Sequence, residues 1–97
     1  MYAAIRFYKV KPGSIDVITQ SAQAGFVPLV SSLPGFVAYY GVLGENDTVV
    51  TVSIFTDQAG EEESTRQAAT WVQQNVAQYV EGAPEIIAGQ VVWHAQK

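Results

Sequence analysis

Two neighbouring apolar runs constrain the fold of this chain more than any other stretch. They are residues 36–43 (FVAYYGVL) and 48–55 (TVVTVSIF), both rich in the β-branched and aromatic residues that favour strands. Between them lies the polar loop 44–47 (GEND), whose glycine, asparagine and aspartate tolerate the positive φ angles of tight turns. We therefore predict an antiparallel hairpin in the middle of a sheet, entered through a turn at Pro34 and Gly35.

The segment before the hairpin predicts a strand and then a helix. Residues 2–10 (YAAIRFYKV) alternate in polarity, as a strand with two different faces does. One face carries Ala3, Ile5 and Phe7, and the other carries Arg6 and Tyr8. From Ser14, a helix N-cap residue type, apolar residues recur every three or four positions as far as Leu33. Pro28 cannot donate the backbone bond to Ala24, which predicts a kink or two consecutive helical pieces.

The segment after the hairpin predicts a second helix and a last strand. Asp57 is the predicted N-cap, and the acidic run 61–63 is read as a solvated helix start rather than a metal cluster. The inward stripe continues to about Val80, and the sequence Gly-Ala-Pro at 82–84 is expected to close the helix. Residues 85–95 (EIIAGQVVWHA) are predicted to form the last strand, with Gly89 as a bulge or close-approach point.

The predicted order is therefore β-α-β-β-α-β, with two helical segments that can cover only one face of a four-stranded sheet. We expect the uncovered face to be the mixed one, made of Arg6, Tyr8, Thr51, Ser53, Gln90 and His94, interleaved with Ala4, Val49, Phe55 and Val92. The chain is 48% hydrophobic and only 14% charged, which is apolar for a small domain. A second copy of the chain is the simplest cover for that face, so we expect a homodimer. On this interpretation, Arg6→Ala should weaken dimerisation more than it alters any pocket.

Composition excludes several classes of function. The net charge is −4, and Lys and Arg form no cluster, so nucleic acid is not an expected partner. The chain has no cysteine, which excludes disulfides and thiolate chemistry, and the single His94 predicts no metal site. The first residues do not read as a signal peptide, and no apolar run reaches the length of a membrane span. We therefore expect a cytoplasmic protein with no membrane partner.

Four stretches together carry a family resemblance: the strand YAAIRFYKV, the helical run GFVPLVSSLPGF, the tyrosine-bearing hairpin and the helix with ATWVQQNV. Spread over nearly the whole chain, this pattern resembles the antibiotic biosynthesis monooxygenase-like family of the dimeric α+β barrel superfamily. The resemblance implies one ferredoxin-like α+β domain over residues 1–97. Its four-stranded antiparallel sheet would carry helices on one face and pack against a twin sheet. In members that are enzymes, a pocket between helices and sheet holds a polycyclic phenol, a quinol or haem. Oxidation by O₂ there needs no cofactor added by the protein.

The candidate site residues follow from the pattern and from the resemblance. Trp71 matches the helix tryptophan that lines the family's pocket, and Asn75, one turn later, loosely replaces an asparagine that members pair with it. The remaining pocket candidates are Tyr39, Tyr40 and Phe7, and the two tyrosines point to opposite faces of their strand. Interface or polar-face candidates are Arg6, Tyr8 and His94. Burial statistics alone make Trp71 a core residue more often than a pocket residue.

Three functions remain open at this stage. The first is a cofactor-independent monooxygenase that acts on a hydrophobic phenol or quinol. The second is a non-catalytic module that binds an apolar aromatic small molecule, and the third is a purely structural dimer. No Gly-x-Ser-x-Gly motif or glycine-rich phosphate loop occurs to indicate another reaction class.

Overall fold

A computed structural model describes all 97 residues, Met1–Lys97. The strands are β1 (Tyr2–Val10), β2 (Phe36–Leu43), β3 (Thr48–Phe55) and β4 (Val80–Gln90), in the spatial order β2-β3-β1-β4. The helices are α1 (Ile15–Ser21), a π-helical turn (Ala22–Phe26), α2 (Val27–Ser31), α3 (Gln58–Asn75) and a 3-10 turn (Ala77–Tyr79). All neighbouring strands are antiparallel. The predicted α+β, ferredoxin-like βαββαβ fold is confirmed.

The hairpin of β2 and β3 spans the predicted residues, but its placement in the middle of the sheet is wrong, because β2 is an edge strand. The backbone N–H of Gly44 donates to the carbonyl of Thr48 at 2.8 Å, which closes the loop. Asn46 and Asp47 both adopt left-handed backbone conformations, with φ angles of 55° and 57°. These two residue types pay little for that conformation because their short polar side chains tolerate it.

The helical segment before the hairpin is broken as predicted. Between α1 and α2 the π-helical turn Ala22–Phe26 inserts a wider turn into an otherwise continuous path. Pro28 lies in the first turn of α2, where its missing N–H costs least. Ser14 occupies the N-cap position of α1, but its hydroxyl donates to the carbonyl of Lys11 at 2.5 Å and caps no helix N–H.

The boundary between α3 and β4 differs from the prediction. Asp57 does cap α3, accepting from the backbone N–H of Gly60 at 2.8 Å. The helix ends at Asn75, however, and β4 begins at Val80 and ends at Gln90. Residues 82–84 lie inside β4, at the irregularity in its pairing with β1, whereas Gly89 pairs in regular register. Pairing with the long first strand therefore outweighs the local preference of Gly-Ala-Pro for a chain break, and a bulge absorbs the mismatch.

The faces of the sheet are the reverse of those expected. The helices cover the polar face, on which Arg6, Tyr8, Thr51 and Ser53 are all buried. The uncovered side, here called the open face, is mainly apolar and carries Ile5, Phe7, Tyr40, Val42, Val50, Val52, Ile54 and Ile87, with Lys9, Thr48 and Glu85 toward one end. The expectation that Arg6 and Tyr8 lie on an uncovered face is wrong. Hydroxyl groups of Ser64 and Thr65 on α3 accept from the guanidinium of the buried Arg6, which the strand pattern alone does not reveal.

The core sits between the sheet and the helices. Phe26, Val30, Phe55 and Ala68 form its buried centre, and Tyr39 and Trp71 pack against it from the side. Phe36 meets Phe55 edge-on, with ring centroids 5.8 Å apart. Four of these residues, Phe26, Ala68, Tyr39 and Trp71, also line a cavity between the helices and the sheet.

Candidate functional site

A cavity of about 420 Å³ lies between the helix-covered face of the sheet and the helices. Of its 21 lining residues 16 are hydrophobic, as is usual for pockets that bind small organic molecules. Apolar side chains of α1, the π-helical turn and α3 form its walls, and the sheet forms its floor. The polar and aromatic groups that matter for chemistry are Arg6, Tyr8, Tyr39, Thr51 and Trp71.

Trp71 reaches the cavity from α3 and is held by two neighbours on the opposite helical segment. Its ring packs against Phe26 at a centroid distance of 5.6 Å and a tilt of 55°. It also lies against the backbone at Gly25, where a Cβ atom would stand 2.9 Å from the indole Nε1. The close approach needs a glycine, and the π-helical turn presents that glycine to the indole.

Two tyrosines of the floor are neutral hydrogen-bonding groups. Tyr39 packs edge-on against Phe26 at 5.3 Å between ring centroids. Burial, reinforced by the neighbouring Tyr8, raises the pKa of Tyr39 to about 12, although the charge of Arg6 and the nearby hydroxyl of Thr51 act in the opposite direction. Burial also raises the pKa of Tyr8, although the charge of Arg6 acts in the opposite direction. Both phenol groups therefore keep their protons at neutral pH and neither serves there as a base.

Arg6 is a buried cation in the cavity lining, with an exposed fraction of 1%. Its Nη1 donates to Ser53 Oγ at 2.9 Å, and its Nη2 donates to Ser64 Oγ and Thr65 Oγ1, both at 3.2 Å. Burial lowers the pKa of Arg6, but a guanidinium does not lose its proton in proteins. A positive charge thus lies beneath an apolar cavity with only hydroxyl groups as direct partners.

The nearest carboxylate is one hydroxyl group away from this cation. Thr65 Oγ1, which accepts from Arg6, donates to Glu61 Oε2 at 3.1 Å. Glu61 is buried, so the prediction that all of the acidic run 61–63 is solvated is wrong at this position. Its charge lies on the α3 side of Arg6 and Glu61 does not line the cavity. The positive charge of Arg6 therefore dominates the electrostatic field inside the cavity, because the Glu61 carboxylate lies on the far side of Arg6.

Only some of the predicted site residues meet here. Trp71, Tyr39, Arg6 and Tyr8 line the cavity together. Phe7 and Tyr40 lie on the open face, across the sheet from it, and Tyr40 is 55% exposed. The expectation that these two residues line a pocket is wrong, because the helices cover the opposite face of their strands.

Two further candidates lie outside the cavity. Asn75 is exposed at the end of α3, where its Nδ2 donates to the carbonyl of Trp71 at 2.9 Å. His94 is exposed in the segment after β4. Thr51 and Phe26 also line the cavity, and neither was predicted to do so from the sequence. The alternation of β3 already groups Thr51 with Ser53, so that signal was present but was assigned to the wrong face.

The structure has neither a metal-binding cluster of side chains nor a membrane-spanning helix. Side chains of His, Cys, Asp and Glu form no group of three or more that could hold a metal ion. None of the helices has both the length and the apolarity needed to cross a bilayer.

Known structures share this architecture. A protein of unknown function from Nitrosomonas europaea superposes with a TM-score of 0.82 at 21% identity, covering 99% of this chain and 93% of its own. A monooxygenase from Streptomyces coelicolor, ActVA-Orf6 in complex with nanaomycin D, gives a TM-score of 0.79 at 13% identity, covering 99% and 91%. This chain has the antibiotic biosynthesis monooxygenase fold.

A third structure with this fold is SnoaB, a cofactor-independent oxygenase from Streptomyces nogalater. It has a TM-score of 0.74 and 12% identity, and the match covers 99% of this chain and 97% of that one. Neither a family model nor a curated protein matches the sequence. At these identities the likeness concerns the fold, and the function has to be argued from the cavity itself.

Proposed function

We propose that this protein is a cofactor-independent monooxygenase that takes a hydrophobic phenol or quinol into the cavity under its helices. One observation carries the proposal: the buried Arg6 cation, bonded only to hydroxyl groups, lines an apolar cavity. In such a water-poor site a cation favours the phenolate over the phenol. Trp71 and Tyr39 supply flat aromatic surfaces against which a ring can pack.

The phenolate is the electron-rich form that can reduce O₂ by itself. One electron passes from the phenolate to O₂, and the two radicals combine at a free ring carbon para to the oxygen. The resulting hydroperoxide loses water to leave a quinone. The overall change is one phenol plus one O₂ to one quinone plus one water, so that one oxygen atom enters the organic product. The fold likeness to a cofactor-independent oxygenase and to a monooxygenase complexed with nanaomycin D is consistent with this chemistry.

One observation favours a second candidate, a protein that binds the aromatic molecule without oxidising it. The cavity lining includes neither a carboxylate nor an imidazole. No side chain of the lining can therefore accept the phenolic proton at neutral pH, since both tyrosines hold theirs. A catalytic route then requires that the proton leaves to solvent, whereas a binding function needs no proton transfer.

Oxygen uptake separates the two candidates. We expect naphthols and larger phenols with a free carbon para to the hydroxyl to consume O₂ above the blank rate, with one atom of ¹⁸O₂ in the organic product. Arg6→Met retains most of the side-chain volume and removes the charge, and should lower kcat/KM at least tenfold, the effect of losing one charge–dipole stabilisation of a transition state. Gln74→Lys, an exposed change on α3, is the matched control. Binding without uptake by any member of the panel would support the second candidate.

Both candidates take residues 1–97 as a single domain that works as a homodimer through its open face. The open face is apolar, and Tyr40, Val42 and Ile87 on it are at least half exposed. Contiguous apolar surface of this kind on a small protein indicates a partner surface. A cytoplasmic location remains a prediction from the sequence.

A further inference from the structure

Two buried polar atoms in this protein have no hydrogen-bond partner. They are Arg6 Nε, a donor, and Thr51 Oγ1, which can donate and accept. Arg6 and Thr51 are directly opposite each other in the pairing of β1 with β3, and both line the cavity. Side chains at such paired positions have their Cβ atoms about 5 Å apart on the same face of the sheet. Both residues therefore lie in the part of the cavity floor where β1 pairs with β3, next to the hydroxyl of Tyr39.

Leaving such groups without partners is unfavourable, and natural proteins rarely do so without a reason. Serine and threonine hydroxyls occupy both Nη atoms of Arg6, which fixes the guanidinium plane. Three of the five guanidinium N–H groups donate in this way, and Nε is the one nitrogen atom without any partner. A carboxylate prefers two parallel N–H donors of an arginine. One guanidinium N–H and one hydroxyl can instead both donate hydrogen bonds to a single oxygen atom.

We propose that Arg6 Nε–H and the Thr51 hydroxyl form an oxyanion subsite that binds the single ring oxygen of an aromatic ligand as phenolate or enolate. This inference deepens the proposed function and rests on it for the aromatic ligand. The ligand oxygen reaches the floor by side-chain rotation in the cavity lining, the commonest change on binding. Its ring then extends from the floor toward Trp71 and Phe26.

The surroundings of the subsite favour the anion. The titratable and charged groups that face it are Arg6 and Tyr8 on β1, Tyr39 on β2 and Glu61 on α3. The two tyrosines are neutral at pH 7, and the Glu61 charge acts through Thr65 from behind Arg6. Inside the cavity the cation therefore dominates. A bulky group beside the ligand oxygen would keep that oxygen away from Arg6 Nε–H and the Thr51 hydroxyl. A methyl group on the oxygen would prevent it from becoming an anion.

The test uses 4-nitro-1-naphthol, whose visible absorption band marks the ionised form, and its methyl ether, which cannot ionise. At a pH below the pKa of the free naphthol, wild-type protein should bind the naphthol and develop the band of the anion. The ether should bind at least tenfold less tightly, since a hydrogen bond to a charged group contributes about that factor. Both affinities are measured by titration calorimetry.

Thr51→Val separates the role of the hydroxyl from its effect on folding. It removes an unpartnered buried hydroxyl, so the Tm of the free protein should stay equal or rise by a few degrees. The affinity for the naphthol should nevertheless fall about tenfold. Thr48→Val, on the same strand but the opposite face, should change neither quantity.

Each outcome of this test has one meaning. Equal affinity in Thr51→Val, or a lowered Tm in that variant, would overturn the subsite and leave the proposed function standing. Binding of the naphthol in its neutral form, or failure of the wild-type protein to bind either probe, would overturn both. Binding as the anion, weakened by Thr51→Val, together with no O₂ uptake from any phenol of the panel, would support the subsite and remove the monooxygenase.

Discussion

At the scale of single residues, Arg6 links stability to the cavity. Three hydroxyl groups, on Ser53, Ser64 and Thr65, accept from its guanidinium. Arg6→Ala removes that donor and leaves an empty volume, so the free energy of unfolding should fall by about 3 kcal/mol in urea denaturation. Arg6→Met retains volume and removes the desolvated charge, and should cost less than half as much.

A second arginine provides the control for this prediction. Arg66 on α3 is exposed, and its ion pair with Glu63 at 3.0 Å lies in solvent. Arg66→Ala should therefore change the free energy of unfolding by no more than about 0.5 kcal/mol. Equal losses in Arg6→Ala and Arg66→Ala would contradict the assignment of Arg6 to the interior. An Arg6→Ala variant that weakens dimerisation more than it alters the cavity, as the sequence alone predicted, would contradict it too.

Tyr39 makes stability depend on alkaline pH. Its pKa is raised from 10.0 to about 12, so the folded state holds its proton where the unfolded chain has lost it. The unfolded state thus binds fewer protons in this window, and stability declines as pH rises from about 10 to about 12. One such group contributes a slope of up to about 1.4 kcal/mol per pH unit. In Tyr39→Phe, urea unfolding across this window should show a shallower decline, and identical slopes would refute the assignment.

At the scale of elements, the π-helical turn positions Trp71. A Cβ atom at Gly25 would stand 2.9 Å from the indole Nε1, closer than real contacts allow. Gly25→Ala should therefore displace the indole and reduce the free energy of unfolding by about 1–2 kcal/mol, in spite of the better helix propensity of alanine. In a Trp93→Phe background, the displacement should appear as a shift in tryptophan emission.

Gly89 offers a matched glycine for the same substitution. A Cβ atom there would meet nothing within 4 Å. Gly89→Ala should leave both the emission and the stability close to those of the parent protein. A Gly25→Ala variant that behaves like Gly89→Ala would show that the π-helical turn accommodates the added methyl group and that other contacts position Trp71.

At the scale of the whole molecule, the open face predicts the oligomeric state. Val52 is paired with Ile5 on one side and Tyr40 on the other, so it lies near the middle of that face. If two copies pack there, Val52→Lys places a charge inside the interface and should weaken dimerisation by about a hundredfold or more. Sedimentation velocity measures the effect, and circular dichroism checks that the monomer remains folded.

The control for the interface is Gln74→Lys, which adds the same charge on an exposed position of α3. It should remain dimeric, like the wild-type protein. A wild-type protein that sediments as a monomer at micromolar concentration, or a Val52→Lys variant that sediments like wild type, would argue against dimerisation through this face. Either result would leave the cavity and its chemistry untouched, because the cavity lies on the other side of the sheet.

The sequence by itself determined the order of elements, because each rests on a local pattern. The hairpin follows from two β-rich runs around a GEND loop, and the break in the first helical segment follows from the missing N–H of Pro28. The Asp57 cap is a local hydrogen bond and was likewise predictable. The start of β4 was not, because pairing with β1 outweighs the signal of residues 82–84.

Only the tertiary structure decided which face of the sheet the helices cover. Strand alternation groups Arg6 with Tyr8 and Thr51 with Ser53, but it is symmetric with respect to the two sides. The polarity of these side chains suggested that they lie on the uncovered face of the sheet. In the folded chain, hydroxyls of α3, more than 55 positions away from Arg6 in sequence, satisfy its guanidinium and make its burial tolerable. A long-range hydrogen-bond network of this kind leaves no periodic trace in a sequence. The cavity, its cation and the apolar open face all follow from that network.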